Sequence, residues 1–212
     1  ITPEKLEFGK GYSLKEVSAP YGYVLSHEAV KFDVTEENST EESGVTIVAV
    51  KLGNYAQKGI IKISKTGEVF ASVTAADGVY QPVYTVQGLA GATYEIKATE
   101  DIYTPDGTLR CSAGEVVDTV TTGADGTAES KPLYLGKYEI TEMKAPDGMV
   151  INKDAHTAEL VYAGQEIEIT EMAASFCNDR QKARISLSKV LEQNKQFGIG
   201  MNNELSAVTF GF

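Results

Sequence analysis

Short segments in which apolar and polar residues alternate recur along the chain, separated by turn-forming residues. Ile61-Lys62-Ile63-Ser64-Lys65 is one such segment, and Tyr138-Glu139-Ile140-Thr141-Glu142 is another. Asp-Gly pairs, which favour hairpin turns, stand between several of them: Asp77-Gly78, Asp106-Gly107, Asp125-Gly126 and Asp147-Gly148. A period of two is typical of strands with one buried face, so the pattern predicts an antiparallel all-β architecture.

The strand-like segments also repeat within the chain. At one constant offset, Tyr12, Leu14 and Glu16 return as Tyr138, Ile140 and Glu142; at a second, Asn54, Gln57, Ile61 and Lys65 return as Asn178, Gln181, Ile185 and Lys189. A third pair is LAGATYEI at 89–96 and LSAVTFGF at 205–212. The order of the repeats predicts one complete module at 59–181, the C-terminal half of a module at 1–58 and the N-terminal strands of the next at 182–212.

Polar residues share the predicted core face of several strands. Lys65 is in register with Ile61 and Ile63, Glu142 with Tyr138 and Ile140, and Asn178 with Phe176. The same pattern directs Glu16 and Lys189 inward, and it puts Asn54 on the face of Val48, Val50 and Leu52. Each full module is therefore expected to turn one lysine, one glutamate and one asparagine towards its core.

Three interpretations of these inward polar residues stay open. Each could be a strand-end residue whose tip reaches solvent. The set could instead be a buried Lys-Glu ion pair with asparagine as hydrogen-bond partner, at a desolvation cost of several kcal/mol per ion. In the third, burial favours the neutral amine, which attacks the asparagine carbonyl while glutamic acid relays protons and ammonia leaves. Positioning within one fold can replace about 7 to 11 kcal/mol of the barrier to such a reaction.

Four segments together resemble a known family. They are GYSLKEVSAPYGYVL at 11–25, GKYEITEMKAPDGMV at 136–150, GATYEI and IKISK, and they are similar to the Cna B-type, SpaA-like prealbumin-fold domains of Gram-positive adhesins and pilins. The resemblance implies tandem Greek-key β-sandwich modules. It also implies an isopeptide bond from Lys65 to Asn178 with Glu142 as proton shuttle. Glu16 would have the same role for Asn54, and Lys189 would be the lysine of the next module.

The two incomplete modules suggest complementation, in which 182–212 supplies the strands that 1–58 lacks. Lys189 would then meet Asn54 beside Glu16. We expect neighbouring modules of the same protein as partners and head-to-tail self-association between molecules, while pairing within one chain stays open.

Net charge and the length of the apolar runs limit the partners and the cellular location that the chain can have. The net charge is −11, with 30 acidic and 19 basic residues, which argues against nucleic acid as a partner. No apolar run approaches the roughly 20 residues of a membrane span, and no signal peptide is evident. We expect a cell-wall-anchored, extracellular protein whose signal and anchor lie outside this chain. Cys111 and Cys177 are interpreted as unrelated thiols, although a bridge between them stays open.

The sequence therefore predicts a structural stalk or backbone segment of a surface protein, with self-cross-linking as its single-turnover chemistry and no enzymatic activity. No cofactor or metal is expected, because HExxH, Gly-rich phosphate loops and GxSxG are all missing from the sequence. The alternative is a ligand-binding adhesin domain that contacts an unknown host molecule. It would use an inserted hairpin near 68–86 together with Tyr80, Tyr84 and Tyr103.

Overall fold

The computed structural model describes residues 6–42, 45–76, 78–190 and 192–198. Its contacts divide the chain into two compact units, Ile1–Arg180 and Gln181–Phe212. All regular structure in the described ranges is β-strand, which confirms the all-β class. The strands are β1 Gly9–Leu14, β2 Val30–Val34, β3 Thr40–Glu42, β4 Val45–Ile47, β5 Lys58–Ala76, β6 Val79–Gly88, β7 Thr93–Ala98, β8 Ile102–Tyr103, β9 Leu109–Cys111, β10 Val116–Thr121, β11 Thr127–Glu129, β12 Leu133–Tyr134, β13 Gly136–Lys144, β14 His156–Leu160 and β15 Ile169–Asn178.

Two sheets form the module that begins at β5. The first has the antiparallel order β10-β7-β13-β14. In the second, β5 pairs antiparallel with β11 and β12 and parallel with β15, from Lys58 beside Ile169 to Gly67 beside Asn178. The first and last long strands of the module therefore run side by side in the same direction.

The core of this module fills the space between the two sheets. Alternate residues of β5, β7, β13, β14 and β15 are buried there, as the period-two pattern requires. The cluster includes Ile61, Ile63, Tyr94, Ile96, Tyr138, Ile140, Leu160 and Phe176. Each such side chain contributes about 1.5 to 3 kcal/mol through removal from water. The two sheets are thus held face to face along the first half of β5, from Lys58 to Lys65.

The second half of β5, from Thr66 to Ala76, extends beyond this core and forms a hairpin with β6. The two strands pair antiparallel. Phe70 meets Tyr84 edge to face, with ring centroids 6.2 Å apart. The Arg180 guanidinium stacks on the ring of Tyr84, 3.5 Å from its centre, and Arg180 Nε donates a hydrogen bond to Glu68 Oε2 at 2.9 Å. These contacts fix the base of the hairpin.

The segment predicted to be a half-module, 1–58, has less regular structure, and its predicted boundary with 59–181 stays a prediction, because both belong to the compact unit Ile1–Arg180. Its β1 and β2 pair antiparallel, as their counterparts β13 and β14 do, and β3 pairs with β4. Leu14, the counterpart of the fully buried Ile140, is 43% exposed. The side of β1 that would face a second sheet is therefore open among the described residues.

Residues 48–54 differ from the expected closing strand, because the structure assigns them to no strand. Their counterpart β15 obtains its ladder hydrogen bonds from β5, and no described segment occupies the equivalent position beside 48–54. Exposure nevertheless alternates: Val48, Val50, Leu52 and Asn54 are part-buried and the residues between them are exposed. The side chains of this segment alternate as they do in a strand, but its backbone makes no strand hydrogen bonds.

Gln57 joins the half-module to the complete module. Its amide nitrogen donates to the carbonyl oxygens of Gly164, at 2.8 Å, and Ile167, and its amide oxygen accepts from Ala163 N at 2.8 Å. The side chain is almost fully buried, so these bonds satisfy its whole amide group. This residue belongs to the repeat, since Gln181 is its counterpart.

The second compact unit is described from 181 to 190 and from 192 to 198. Residues 181–190, predicted to begin a strand, are assigned to none. Ile185, Leu187 and Val190 are all exposed there. The third repeated segment, at 205–212, lies outside the described residues, so the predicted front strands stay a prediction. Cys111 and Cys177 are both free thiols.

A glycine turn fixes the backbone of Lys65. The Lys65 N–H donates to Gly126 O at 2.7 Å, and Lys65 O accepts from Leu89 N at 2.9 Å. Gly126 has a φ of +80°, and a β-carbon there would lie 2.5 Å from Lys65 O and 2.6 Å from Gly88 Cα. Only glycine fits this turn, which places the lysine at a defined point along β5.

We predict that Gly126→Ala destabilises the protein more than Gly114→Ala does. Gly114 has a similar φ of +82° but open space around it, so both variants carry the left-handed penalty of about 1 to 2 kcal/mol. The Gly126 variant adds a clash with backbone atoms, worth roughly 1 to 3 kcal/mol. Denaturant unfolding of both variants measures the difference. Equal destabilisation would show that the turn does not pack tightly against Lys65.

Candidate functional site

The lysine, glutamate and asparagine of the complete module meet between its two sheets. Lys65 comes from β5, Glu142 from β13 and Asn178 from the end of β15. They are 1%, 3% and 4% exposed, respectively. None of the three tips therefore reaches solvent, which removes the strand-end interpretation for this set.

The Lys65 amine has two polar partners and an aromatic surround. Its Nζ lies 2.9 Å from Glu142 Oε1 and donates a hydrogen bond to Asn178 Oδ1. The ring centres of Tyr94 and Phe176 are 5.7 Å and 5.9 Å from the same nitrogen. The amine is thus held against the asparagine amide in apolar surroundings.

Glu142 connects the other members of the site. Its Oε1 and Oε2 accept from Asn178 Nδ2 at 3.1 Å and 2.9 Å. The Asn152 backbone N–H donates to Oε2 at 2.7 Å, and the Tyr94 hydroxyl lies 3.4 Å from Oε1. One carboxyl group therefore touches both the amine of Lys65 and the amide nitrogen of Asn178.

This arrangement can support amide exchange. The amine faces the carbonyl end of the amide, which is the group it would attack, while the carboxyl group contacts the nitrogen that would leave. A group within hydrogen-bond reach of both is positioned to take a proton from one and give it to the other. The same contacts are equally those of a buried ion pair with asparagine as its hydrogen-bond partner.

The half-module brings Glu16 and Asn54 together in the same way. Asn54 Nδ2 donates to Glu16 Oε2 at 2.7 Å, and the Ser26 backbone N–H donates to the same oxygen at 2.9 Å. Both side chains are only part-buried. The third predicted member, Lys189, belongs to the other compact unit and lies in a segment without strand structure. The second bond therefore stays a prediction.

The tyrosines of the alternative ligand site have different surroundings. Tyr80 and Tyr103 are exposed on β6 and β8, whereas Tyr84 is covered by the Arg180 guanidinium. Tyr84 therefore has a packing role. Within the described residues, no cluster of metal-ligating side chains occurs, and no helix is long and apolar enough to cross a membrane.

Sequence reasoning missed two residues that shape the main site, Tyr94 and Asn152. Tyr94 contributes a hydroxyl and a ring, and its ring packs 4.6 Å from that of Phe176. Asn152 contributes its backbone N–H, which no side-chain pattern can reveal. Tyr94 did carry a signal, because it shares the inward face of β7 with Ile96. Its position opposite Glu142 follows only from the pairing of β7 with β13.

The two facing sheets, with the first and last long strands adjacent and parallel, form a β-sandwich module. The family model of the SpaA prealbumin-like fold domain matches the chain at residues 1–49 and 83–173. The chain therefore belongs to this family, and the resemblance seen in the sequence is confirmed.

Individual relatives are longer proteins. The Trypsin-resistant surface T6 protein of Streptococcus pyogenes serotype M6 is 32% identical over 74 residues, which cover 34% of this chain and 14% of that protein. The TIE protein of Bacillus anthracis is 28% identical, with a TM-score of 0.43, over 80% of this chain and 24% of the other. The minor pilin GBS52 of Streptococcus agalactiae is 16% identical, with a TM-score of 0.38, over 76% and 61%.

We predict that stability declines as pH rises above about 10, the ordinary pKa of tyrosine. Burial raises the pKa of Tyr94, with a further contribution from the Glu142 charge, and burial also raises the pKa of Tyr138. In that pH range the unfolded chain loses these protons while the folded chain keeps them, so ionisation favours unfolding.

Denaturant unfolding at a series of alkaline pH values tests this prediction. Tyr94→Phe should make the decline shallower by the contribution of one proton, whereas Tyr55→Phe, at an exposed side chain, is the control. An identical slope in wild type and Tyr94→Phe would contradict it.

Proposed function

We propose that the chain is a load-bearing stalk or pilus-backbone segment of a Gram-positive surface protein, in which an isopeptide bond between Lys65 and Asn178 locks the complete module. The observation that carries the proposal is the buried contact of the Lys65 amine with Asn178 and Glu142. The protein acts on itself once and does not turn over a substrate.

The reaction proceeds within the folded core. Glu142 takes a proton from Lys65 Nζ, and the neutral amine attacks Asn178 Cγ. The Nζ–Cγ bond forms and the Cγ–Nδ2 bond breaks. Glu142 returns the first proton to Nδ2, which leaves as ammonia, and takes a second proton from Nζ, so that it ends as glutamic acid. The contacts of 2.9 Å from Glu142 to Lys65 Nζ and to Asn178 Nδ2 supply both proton paths.

Removal of charge favours the product. A buried ion pair carries an effective desolvation cost of several kcal/mol per ion, which its own attraction repays only in part. Amide formation removes the positive charge of the lysine and leaves a glutamic acid that still has hydrogen-bond partners.

The bond would also redirect mechanical load. The chain enters the module at Lys58, beside the junction that Gln57 clamps, and leaves it after Asn178. A pull on both ends would pass from β5 through the bond to the end of β15. Lys65 and Asn178 are 113 positions apart, and the chain between them would carry no tension.

The family and one relative support this role. SpaA-type domains are the family to which the chain belongs, and the T6 relative is described as a trypsin-resistant surface protein. Resistance to trypsin is the property that a core cross-link would confer. We infer an extracellular location on the cell surface, with neighbouring modules of the same protein as partners.

Ligand binding through the hairpin of β5 and β6 is the second candidate function. The exposure of Phe70 and Tyr80 on this hairpin favours it, since aromatic side chains are common anchors of binding surfaces. Deletion of the hairpin would separate the two functions, because it leaves Lys65 and its partners in place.

We predict that the intact protein is lighter than its sequence by at least one ammonia. Lys65→Ala, Asn178→Ala and Glu142→Gln should each remove the loss assigned to this site, because each removes one participant. Lys62→Ala is the matched control, since Lys62 lies three positions along β5 on the opposite face and pairs with Glu171. Intact-mass spectrometry followed by peptide mapping measures all five proteins. A wild-type mass equal to that of the sequence would sink the proposal.

We also predict that the bond contributes about 4 to 5 kcal/mol to the free energy of unfolding, from the chain-entropy model for closing a loop of this length. Glu142→Gln keeps the shape of the site and loses the bond, so it should unfold at lower denaturant and be cleaved faster by trypsin. Glu139→Gln makes the same change on the opposite face of β13 and is the control. Equal trypsin resistance in Glu142→Gln and wild type would leave the bond without a protective role.

A further inference from the structure

The two carboxyl oxygens of Glu142 have different sets of partners. Oε2 accepts from the Asn152 backbone N–H at 2.7 Å and from Asn178 Nδ2 at 2.9 Å. Oε1 lies 2.9 Å from Lys65 Nζ, accepts from Asn178 Nδ2 at 3.1 Å and accepts from the Tyr94 hydroxyl at 3.4 Å. A backbone N–H can only donate, so Oε2 is kept as an acceptor throughout. Any proton that Glu142 carries therefore belongs on Oε1.

The backbone donor belongs to the loop that follows the glutamate strand. The Ser26 N–H donates to Glu16 Oε2 at 2.9 Å, and Ser26 and Asn152 each follow their glutamate by ten positions. Local chain geometry thus fixes one carboxyl oxygen at both places. The other oxygen of Glu142 is left for partners from elsewhere in the fold, and Tyr94 of β7 is one of them.

Strand pairing holds Tyr94 beside Glu142. The two residues are direct partners in the ladder of β7 and β13, and both are buried, Tyr94 completely so. The ring centre of Tyr94 lies 4.6 Å from that of Phe176. Among the described residues, the hydrogen-bond partner of the Tyr94 hydroxyl is Glu142 Oε1. A buried hydroxyl needs such a partner, so this contact directs it at that oxygen.

The hydroxyl differs from the N–H donors at the site because it can also accept a hydrogen bond. While Glu142 is charged, the hydroxyl donates to Oε1; once Oε1 carries a proton, the hydroxyl oxygen can accept from it. Burial raises the pKa of Tyr94, with the Glu142 charge as a further cause, so the phenol keeps its own proton. Tyr94 can therefore hold Oε1 in both protonation states without carrying the proton itself.

The sequence repeat separates the hydroxyl from the ring. The segment LAGATYEI at 89–96 recurs as LSAVTFGF at 205–212, which puts Phe210 at the repeat position of Tyr94. The repeat thus accepts an aromatic ring without a hydroxyl at this position. Tyr94→Phe makes the same change in the complete module and isolates the role of the hydroxyl.

We propose that Tyr94 is a positioning residue for the cross-linking reaction, and that its hydroxyl and the Asn152 N–H assign the two oxygens of Glu142 to separate tasks. This inference rests on the self-cross-linking proposed above. Oε2 holds Asn178 Nδ2. Oε1 takes a proton from Lys65 Nζ, passes it to Nδ2 and takes the second proton from Nζ, as the Nζ–Cγ bond replaces the Cγ–Nδ2 bond and ammonia leaves. Oε1 is within hydrogen-bond distance of both nitrogens, so one oxygen serves every transfer.

The kinetics of cross-linking test this role. Each chain is collected unfolded from inclusion bodies, diluted from denaturant to start folding, and followed by circular dichroism and intact mass. Tyr94→Phe should fold at the wild-type rate but lose its ammonia about tenfold more slowly, the rate equivalent of one hydrogen bond. Tyr138→Phe is the matched control, because it removes a hydroxyl of the same core that bonds to Tyr134 O, and it should lose ammonia at the wild-type rate.

The solvent isotope effect separates positioning from packing. In heavy water the reaction of Tyr94→Phe should slow by a larger factor than that of the wild type, because a poorly placed proton transfer limits its rate. An equal isotope effect in the two proteins would mean that the hydroxyl only stabilises the core, and would overturn the inference.

The same data distinguish this inference from the proposed function. Equal rates of ammonia loss in wild type and Tyr94→Phe would overturn the role of Tyr94 and leave the Lys65–Asn178 bond standing. A Tyr94→Phe chain that folds as slowly as it reacts, or that does not fold, would also overturn it. A wild-type chain that folds and never loses ammonia would refute the bond itself, and with it this role of Tyr94.

Discussion

The burial of the Lys65 amine is the constraint on which the complete module depends. The amine lies beside the rings of Tyr94 and Phe176, where an isolated charge would cost far more than a single fold can supply. Glu142 and Asn178 must therefore be in contact with it, which fixes β13 and β15 relative to β5. The Gly126 turn holds the same lysine from its backbone side. The three strands are positioned by one polar group.

The half-module shows which parts of this arrangement do not need the lysine. Glu16 and Asn54 are in contact, and the Ser26 N–H supports the glutamate, although the amine is missing from the described contacts. The apolar face is not closed, since Leu14 is open and 48–54 form no strand. Glutamate and asparagine are thus organised by their own strands and loops, and the lysine strand supplies closure of the core.

Alternation in the sequence could predict the all-β class and the inward facing of Lys65, Glu142 and Asn178, because facing is a local property of an extended chain. Alternation also indicated which side chains of Val48 to Asn54 are part-buried. It could not indicate that this segment lacks strand hydrogen bonds, because those depend on a partner strand elsewhere in the fold. The sequence showed Gln57 only as a repeated residue and gave no sign of the hydrogen bonds that its amide group makes. Its partners at 163–167 are backbone groups, which leave no signature in the sequence.

The parallel pairing of β5 with β15 determines how far the chain advances across one module. The chain enters the module beside Ile169 and leaves it beyond Asn178, at the far end of the same ten-residue stretch. Each repeat of this topology therefore displaces the polypeptide by about 30 Å along the strand direction and never returns it to its entry point. A protein built from such repeats can change its reach by gaining or losing whole repeats, with the chemistry of each one unchanged.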